Sequence, residues 1–253
     1  MVFNPFTLEK KRILVTGASS GIGSEIAIAI ARMGGEVIGT GRDMVRLNAT
    51  KAALAEISNL KHQTISADLT MPEELSRVVL AIEFPIDGVV HSAGISRLAP
   101  FRQLTLSHLR QVQSINLEAP LILTQKLLAR NLVQRNGSLL FISSIAAHIG
   151  VPGVAAYSAS KAALIAAVRC LAMEVAKHKI RANCLSPGIV DTAILAATVS
   201  IKGVEETRKL EDEYPLGFGT TADVANASIY FLSDASRWVT GTTLIMDGGL
   251  TIR

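Results

Sequence analysis

The residues best equipped for chemistry are a tyrosine and a lysine four positions apart, in Tyr157-Ser-Ala-Ser-Lys161. They open a strongly helical stretch, and on a helix positions i and i+4 share a face, so phenol and ammonium can point into one site. A neighbouring ammonium favours the phenolate and draws a tyrosine pKa from about 10 towards neutrality. Such a phenol is a usable general acid for a carbonyl oxygen becoming a hydroxyl. Ser143 and Ser144 end an apolar run upstream, where either hydroxyl could hydrogen-bond the same oxygen. Each of these residues also fits a bland role: a surface Tyr/Lys pair, or serines satisfying a strand end.

A second group of residues suits phosphate. Gly17, Gly21 and Gly23 stand in Ile13-Leu-Val-Thr-Gly-Ala-Ser-Ser-Gly-Ile-Gly23, between an apolar run and a helical one. Glycine permits a tight turn and close approach to the amides, and the helix start beyond offers unpaired N–H groups to a pyrophosphate. The spacing G-x-x-x-G-x-G departs from the commonest dinucleotide fingerprint and also fits an ordinary glycine-rich turn. The next apolar run ends in Gly41, Arg42 and Asp43. A guanidinium at that tip pairs with a 2′-phosphate and selects NADP. Asp43 turned inward would hold ribose hydroxyls and select NAD, and a solvated Arg–Asp pair is the plain alternative. Asp68 suits the adenine amino group or a helix cap. His91-Ser92-Ala93-Gly94 ends a further run, at the edge where α/β sheets bind ligands. Other chemistries lack residues. The five histidines have no metal spacing, and no G-K-S/T phosphate loop occurs.

Strand-length apolar runs alternate with helical stretches and must position these groups. Strands are expected at Ile13–Thr16, Glu36–Thr40, Thr64–Ala67, Ile86–His91, Ser138–Ser143, Arg181–Leu185 and Thr243–Met246. Helices are expected near Ile22–Met33, after Arg42, from Met71-Pro72, from about Ser107 with a break near Pro120, and over Ala156–Lys177. Alternation predicts parallel strands joined by crossovers. The fold class is therefore α/β, a doubly wound parallel sheet flanked by helices (a Rossmann fold), as a single domain over 1–253. The stretch 192–215 has mixed polarity and no clean strand, and is expected to be a small helical lid.

Composition agrees. Over 253 residues, 49% are hydrophobic, 18% charged and only 4% aromatic. That excludes disorder and fits aliphatic strands covered on both faces. The net charge is +4, yet the only dense basic run is Lys10-Lys11-Arg12, so a solvated surface is expected and no nucleic-acid partner. Cys170 and Cys184 sit in apolar context and read as buried, reduced thiols. Without a secretory pattern at the start or a run near the roughly 18 apolar residues of a membrane span, no membrane contact and a cytoplasmic location are expected.

Assembled in order, the motifs resemble the short-chain dehydrogenase/reductase family in its one-domain form, from about Arg12 to Gly249. The matching pieces are Thr16-Gly-Ala-Ser-Ser-Gly-Ile-Gly23, Asp68, Asn116 in Ile-Asn-Leu, Ser144, Tyr157 with Lys161, Pro187-Gly188 with Thr192, and Asp247-Gly-Gly249. The resemblance implies a catalytic tetrad of Asn116, Ser144, Tyr157 and Lys161. It favours Ser144 over Ser143, since Ser144 precedes Tyr157 by 13 residues. Tyr157 would donate the proton. Lys161 would lower its pKa and hold the nicotinamide ribose, and Asn116 would position a water linking Lys161 to solvent. Cofactor contacts would come from Gly17, Ser19, Ser20, Gly21, Ile22 and Gly23, from Arg42, Asp68 and Leu69, from Ala93 and Gly94, and from Pro187, Gly188, Ile189 and Thr192. Ile189 would bond the carboxamide through its backbone, with help from Thr192. The family's Asn-Asn-Ala-Gly is here His91-Ser92-Ala93-Gly94, so two side-chain contacts change.

The ending Thr240–Gly249 resembles the 3-oxoacyl-(acyl-carrier-protein) reductase type, an ending shared with enzymes of other substrate range. The implied activity is NADP(H)-dependent interconversion of a carbonyl and a secondary alcohol, with NAD(H) possible, on a small molecule that includes acyl thioesters among its candidates. The implied assembly is a homotetramer, with the Tyr157–Lys177 helix and the C-terminal strand in its interfaces. The rivals are an NAD-dependent secondary alcohol, sugar or steroid dehydrogenase, and a nucleotide-sensing protein of the same fold, whose mark would be a broken tetrad. Arg97 and Arg102 suit an acidic substrate or plain surface, and His148 suits the substrate mouth or a turn cap.

Overall fold

A computed structural model describes residues 4–192 and 204–252. Its strands are β1 Arg12–Thr16, β2 Glu36–Gly41, β3 Gln63–Ser66, β4 Ile86–His91, β5 Val133–Ile142, β6 Arg181–Pro187 and β7 Thr243–Met246. The described α-helices are α1 Gly21–Arg32, α2 Met44–Ile57, α3 Pro72–Leu80, α4 Leu106–Gln113, α5 Ala119–Ala129, α6 Ala155–Val175, α7 Val204–Glu211 and α8 Thr221–Leu232. The seven strands form one sheet in the order β3-β2-β1-β4-β5-β6-β7, and every pair is parallel. The chain winds outward from β1 to β3, then returns to β4 on the other side of β1. The strand order reverses there, which opens a crevice at the carboxyl ends of β1 and β4.

Strand side chains alternate between two apolar layers. Leu14, Ile38, Val89, Leu139, Phe141 and Cys184 face the layer that also holds Leu75 of α3, Leu123 of α5 and Leu164 of α6. Ile13, Val15, Val37, Val90, Leu140 and Leu185 face Ile26 of α1, Leu47 of α2 and Ile229 of α8. Local signals start the helices. Pro72 and two acids open α3, Asp43 caps α2, and Thr220 with Asp223 forms a capping box for α8.

Several boundaries differ from expectation. Strand β5 begins at Val133, five residues early; Asn136 takes a left-handed φ of 67°, and the pairing with β4 shifts between Ile86 and Gly88. The break expected at Pro120 lies upstream, as a π-helical segment over Ser114–Glu118. Pro120 sits in the first turn of α5, where its missing N–H is tolerated. Cys184 is buried, but Cys170 is exposed. Of the expected lid, 193–203 lies outside the described residues, and α7 occupies part of the remainder. Among the described residues, no helix is long and apolar enough to cross a membrane, and no His, Cys, Asp or Glu cluster could hold a metal ion.

Candidate active site

The crevice begins with the glycine loop between β1 and α1. Gly17 has a φ of +70°, and a Cβ there would lie 2.9 Å from Ala93 Cα, so the loop packs directly on the exit of β4. A Cβ on Gly23 would fall 2.3 Å from the Gly17 carbonyl oxygen. Thr16 joins the two strand exits, its hydroxyl accepting from the N–H groups of Ser92 and Ala93 at 3.1 Å each. Ser20 is the extended N-cap of α1 and makes no side-chain capping bond, which leaves first-turn amides for an anion. A Cβ on Gly21 would find only Thr192, at 3.6 Å. The loop after β6 thus crosses over the glycine loop, and two segments far apart in sequence share one cradle.

At the tip of β2, Gly41 lies against Ser19: a Cβ there would be 2.9 Å from Ser19 Oγ. Asp43 does not turn inward. It accepts from the Arg46 N–H at 3.0 Å and pairs with Arg46 Nε at 3.4 Å. Arg42 is exposed, with Nη1 3.8 Å from Asp68 Oδ2. Asp68 does not cap α3, whose N-cap is Met71; it accepts from Thr70 N–H at 3.0 Å and Thr70 Oγ1 at 2.7 Å. Partial burial pushes its pKa up, but the Thr70 bonds and the Arg42 guanidinium together bring it below the ordinary value. Leu69, next to it, is buried.

The expected tetrad converges one strand further along. Lys161 is 5% exposed and donates through Nζ to the Ile142 carbonyl at 2.8 Å, at the last residue of β5. Burial brings its pKa down to about 8. Its ammonium lies 5.8 Å from the Tyr157 ring centroid. Burial pushes the Tyr157 pKa above the ordinary phenol value, while a hydrogen bond with the Ser144 hydroxyl draws it down. The expected downward shift is therefore not met in this structure, because desolvation outweighs the bond that favours the phenolate. Ser143 turns away and donates to the Lys161 carbonyl at 3.1 Å, which leaves Ser144 as the serine beside the phenol.

Asn116 comes from the π-helical segment and is 1% exposed. Its Oδ1 accepts from the Ile95 N–H at 2.9 Å, and its Nδ2 donates to the Ile95 carbonyl at 2.9 Å and to Ser160 Oγ at 3.1 Å. A Cβ on Gly94 would lie 3.1 Å from Asn116 Oδ1 and 3.4 Å from Lys161 Nζ, so glycine is what lets the β4 exit approach both. His91 is a core residue. It stacks on Phe141 with centroids 4.5 Å apart and its Nε2 shares a 2.8 Å hydrogen bond with Thr124 Oγ1. Its Nδ1 has no partner, and burial brings its pKa down to about 3.

The turn after β6 completes the site. Gly188 N–H donates to the Met246 carbonyl at 2.7 Å, and the Ile189 carbonyl accepts from Gly219 N–H at 3.0 Å. Thr192 Oγ1 donates to the Val190 carbonyl at 3.2 Å. Gly188 is sandwiched: a Cβ would lie 2.9 Å from Tyr214 Cε1 and 3.1 Å from Asp247 Cα. Tyr214 is buried; burial raises its pKa, outweighing the contact with the Ile189 backbone that draws it down. Thr16 belongs to the glycine motif without a role of its own there, and Tyr214 did not stand out in the sequence. His148 is exposed and reaches back from the Ser144 turn to the buried Ser186 Oγ at 3.0 Å, linking the exits of β5 and β6. Arg97 and Arg102 are exposed.

Comparison with known proteins places this geometry among its relatives. The profile of a family described as enoyl-(acyl carrier protein) reductase matches residues 17–251. An L-xylulose reductase of Caenorhabditis elegans is 36% identical over 246 residues, covering 95% of this chain and 96% of that one. A 3-oxoacyl-(acyl-carrier-protein) reductase of Aquifex aeolicus is 31% identical, covering 96% and 98%. A solved structure described as an NAD(P)-dependent gluconate 5-dehydrogenase of Beutenbergia cavernae, with NADP bound at low occupancy, superposes with a TM-score of 0.87. It is 33% identical, with 99% of this chain and 100% of that chain covered.

Proposed function

This chain belongs to the short-chain dehydrogenase/reductase family, and on that premise we propose that it is an NADP(H)-dependent oxidoreductase interconverting a carbonyl and a secondary alcohol. The family's enzymes use NAD(P)(H) on small molecules. The observation that carries the reading is the meeting of Ser144, Tyr157, buried Lys161 and Asn116 beside a glycine cradle that side chains would fill.

The residues fit a dinucleotide. The free first-turn amides of α1, reached past Gly17, Ser19, Ser20, Gly21, Ile22 and Gly23, would hold the pyrophosphate. Arg42 would pair with the 2′-phosphate, since Asp43 is engaged with α2. Asp68 and Leu69 would meet the adenine, and Ala93 and Gly94 would line the passage to the nicotinamide. Pro187, Gly188, Ile189 and Thr192 would hold the carboxamide. When bound, the cofactor supplies or accepts the hydride.

The chain's own residues handle the oxygen and its proton. Ser144 holds the substrate oxygen, and Tyr157 gives that oxygen a proton in reduction or takes it in oxidation. Lys161 sits where its charge favours the phenolate and where it can reach ribose hydroxyls. Asn116, clamped to Ile95 and Ser160, holds the proton path behind Lys161. The 192–215 stretch, including α7, acts as the substrate lid. The exposed Leu244 and Ile245 on β7, the last strand of the sheet, with Met173 on α6, support a homotetramer. The two unpaired cysteines suit the cytoplasm.

The test is Tyr157→Phe. We expect turnover to fall about 10²–10⁴-fold on whichever of a panel of acyl thioesters, diketones, sugars and steroids the wild type reduces. NADPH affinity should stay within a factor of about two. Undiminished reduction would remove Tyr157 from the mechanism.

A further inference from the structure

A buried hydroxyl beside the tetrad has a single partner. Ser186, just before Pro187, is wholly buried, and among the described residues its Oγ meets only His148 Nε2, at 3.0 Å. The sheet fixes where this pair lies. Side chains alternate along a strand, so Ser186 shares a face of β6 with Cys184, in the layer that holds Leu164 of α6. Ser143 leaves β5 on that same face and donates to the Lys161 carbonyl of α6. Leu185 pairs with Ile142 across the two strands, and the Ile142 carbonyl receives the Lys161 ammonium. The His148 ring therefore stands over the ends of β5 and β6, on the side of the sheet that carries Tyr157 and Lys161. Ser144 and His148 are the two ends of one short turn, its N-cap and its C-cap. Space in front of the ring is open: His148 is exposed, and a Cβ on Gly150 would find nothing within 4 Å.

The same bond decides which ring nitrogen carries the proton. A hydroxyl has one proton to give, and a buried one gives it to a partner. Ser186 has only Nε2 to receive it, so Nε2 accepts and the ring proton stands on Nδ1. Nδ1 makes no hydrogen bond among the described residues. We propose that His148 is a specificity-determining residue whose Nδ1–H donates to a second oxygen of the substrate, on a carbon next to, or next but one to, the reacting carbonyl. The proposal deepens the carbonyl–alcohol reading above and rests on it. It favours hydroxyketones (ketoses among them), diketones and oxoacyl thioesters. A ketone with one oxygen offers this donor nothing.

The test uses two substitutions that divide the ring between them. Glutamine reaches Ser186 as Nε2 does but has no group where Nδ1 stands. Asparagine puts an amide near Nδ1 and falls short of Ser186. The full-length wild type, His148→Gln and His148→Asn are given acetoin, diacetyl, a ketopentose, acetoacetyl-N-acetylcysteamine, butanone and a monoketo steroid, with NADPH and with NADH. Melting temperatures check that both variants, changed at an exposed residue, are folded. Wild type should have its highest kcat/KM on a compound with a second nearby oxygen, and the first four compounds show which class that is. His148→Gln should lower this value about three- to tenfold, chiefly through KM, with a much smaller change on butanone. His148→Asn should lose less than His148→Gln. A residue that only holds Ser186 gives the reverse order, with asparagine the worse, and that order overturns the proposal. Equal losses on butanone and on the preferred compound overturn it too, as does a wild type that prefers butanone or the steroid. A wild type that reduces none of the compounds with either cofactor would instead remove the carbonyl–alcohol reading beneath it.

Discussion

Acidification should expose His91. Its imidazole is wholly inside, stacked on Phe141, and burial holds its pKa near 3 against an ordinary 6.5. The folded chain therefore keeps it neutral, while the unfolded chain takes up a proton as pH drops through 6.5. The stability this represents is fully present above pH 6.5 and is lost as pH falls towards 3. Each pH unit in that window costs about 1.4 kcal/mol. Between pH 7 and pH 4 the loss comes to about 3 kcal/mol, a large share of the roughly 5–15 kcal/mol that holds a domain together. The check is urea unfolding at pH 7, 6, 5 and 4 for wild type and His91→Asn. Asparagine is of lower volume and does not titrate, so the variant should be weaker at pH 7 by about 1–3 kcal/mol. The gap should then close as pH falls, and reverse where it began below about 3 kcal/mol, wild type losing about 3 kcal/mol more over the range. The other carboxylates and histidines, including His62 with its lowered pKa, act on both proteins and cancel. Parallel loss in the two proteins would refute the assignment of a neutral, buried His91.

Two further substitutions probe the site. Arg42→Ala should weaken NADPH binding about tenfold or more and leave NADH binding nearly unchanged, as the loss of one charge-assisted contact to phosphate predicts; equal losses measured by titration would dismiss the phosphate role. Ser143→Ala and Ser144→Ala should separate cleanly. The first removes one bond to the Lys161 carbonyl and should lower stability by about 1 kcal/mol with turnover kept. The second also loses a bond, from the Ala146 N–H at 3.2 Å, so its stability should fall by a similar amount, but turnover should drop about 10²-fold or more, and steady-state kinetics tell the two apart.

The architecture was legible because a parallel sheet buried on both faces leaves short aliphatic runs, and the helices between them leave longer ones. The glycine loop was legible because its backbone admits no other residue, as the 2.3 Å approach at Gly23 shows. Other features depend on neighbours far away in the chain. Ser143 and Ser144 are indistinguishable by type, and only the direction of each side chain off the end of β5 separates them. The break expected near Pro120 lies upstream, at Ser114–Glu118, because the proline is visible in the sequence and the extra residue of a π-helical turn is not. His91 looked like a change in ligand contacts, whereas its face of β4 turns it onto Phe141. The tyrosine pKa departs from expectation because i and i+4 spacing reports a shared face and says nothing of how dry that face is. Tyr214 had no signal at all, because the glycine its ring packs against, Gly188, lies in a distant turn of the chain.

The π-helical stretch at Ser114–Glu118 sets a rotational phase between the helices it joins. Each residue of an α-helix turns the chain by about 100°, so one residue accommodated without a full step leaves α5 swung round relative to a straight continuation of α4. Both helices can then keep their apolar stripes inward while Asn116, at the join, looks towards Ile95. Deleting a single residue within the stretch would restore a regular helix and re-aim everything on one side of it. The chain can substitute around this join far more freely than it can change its length there.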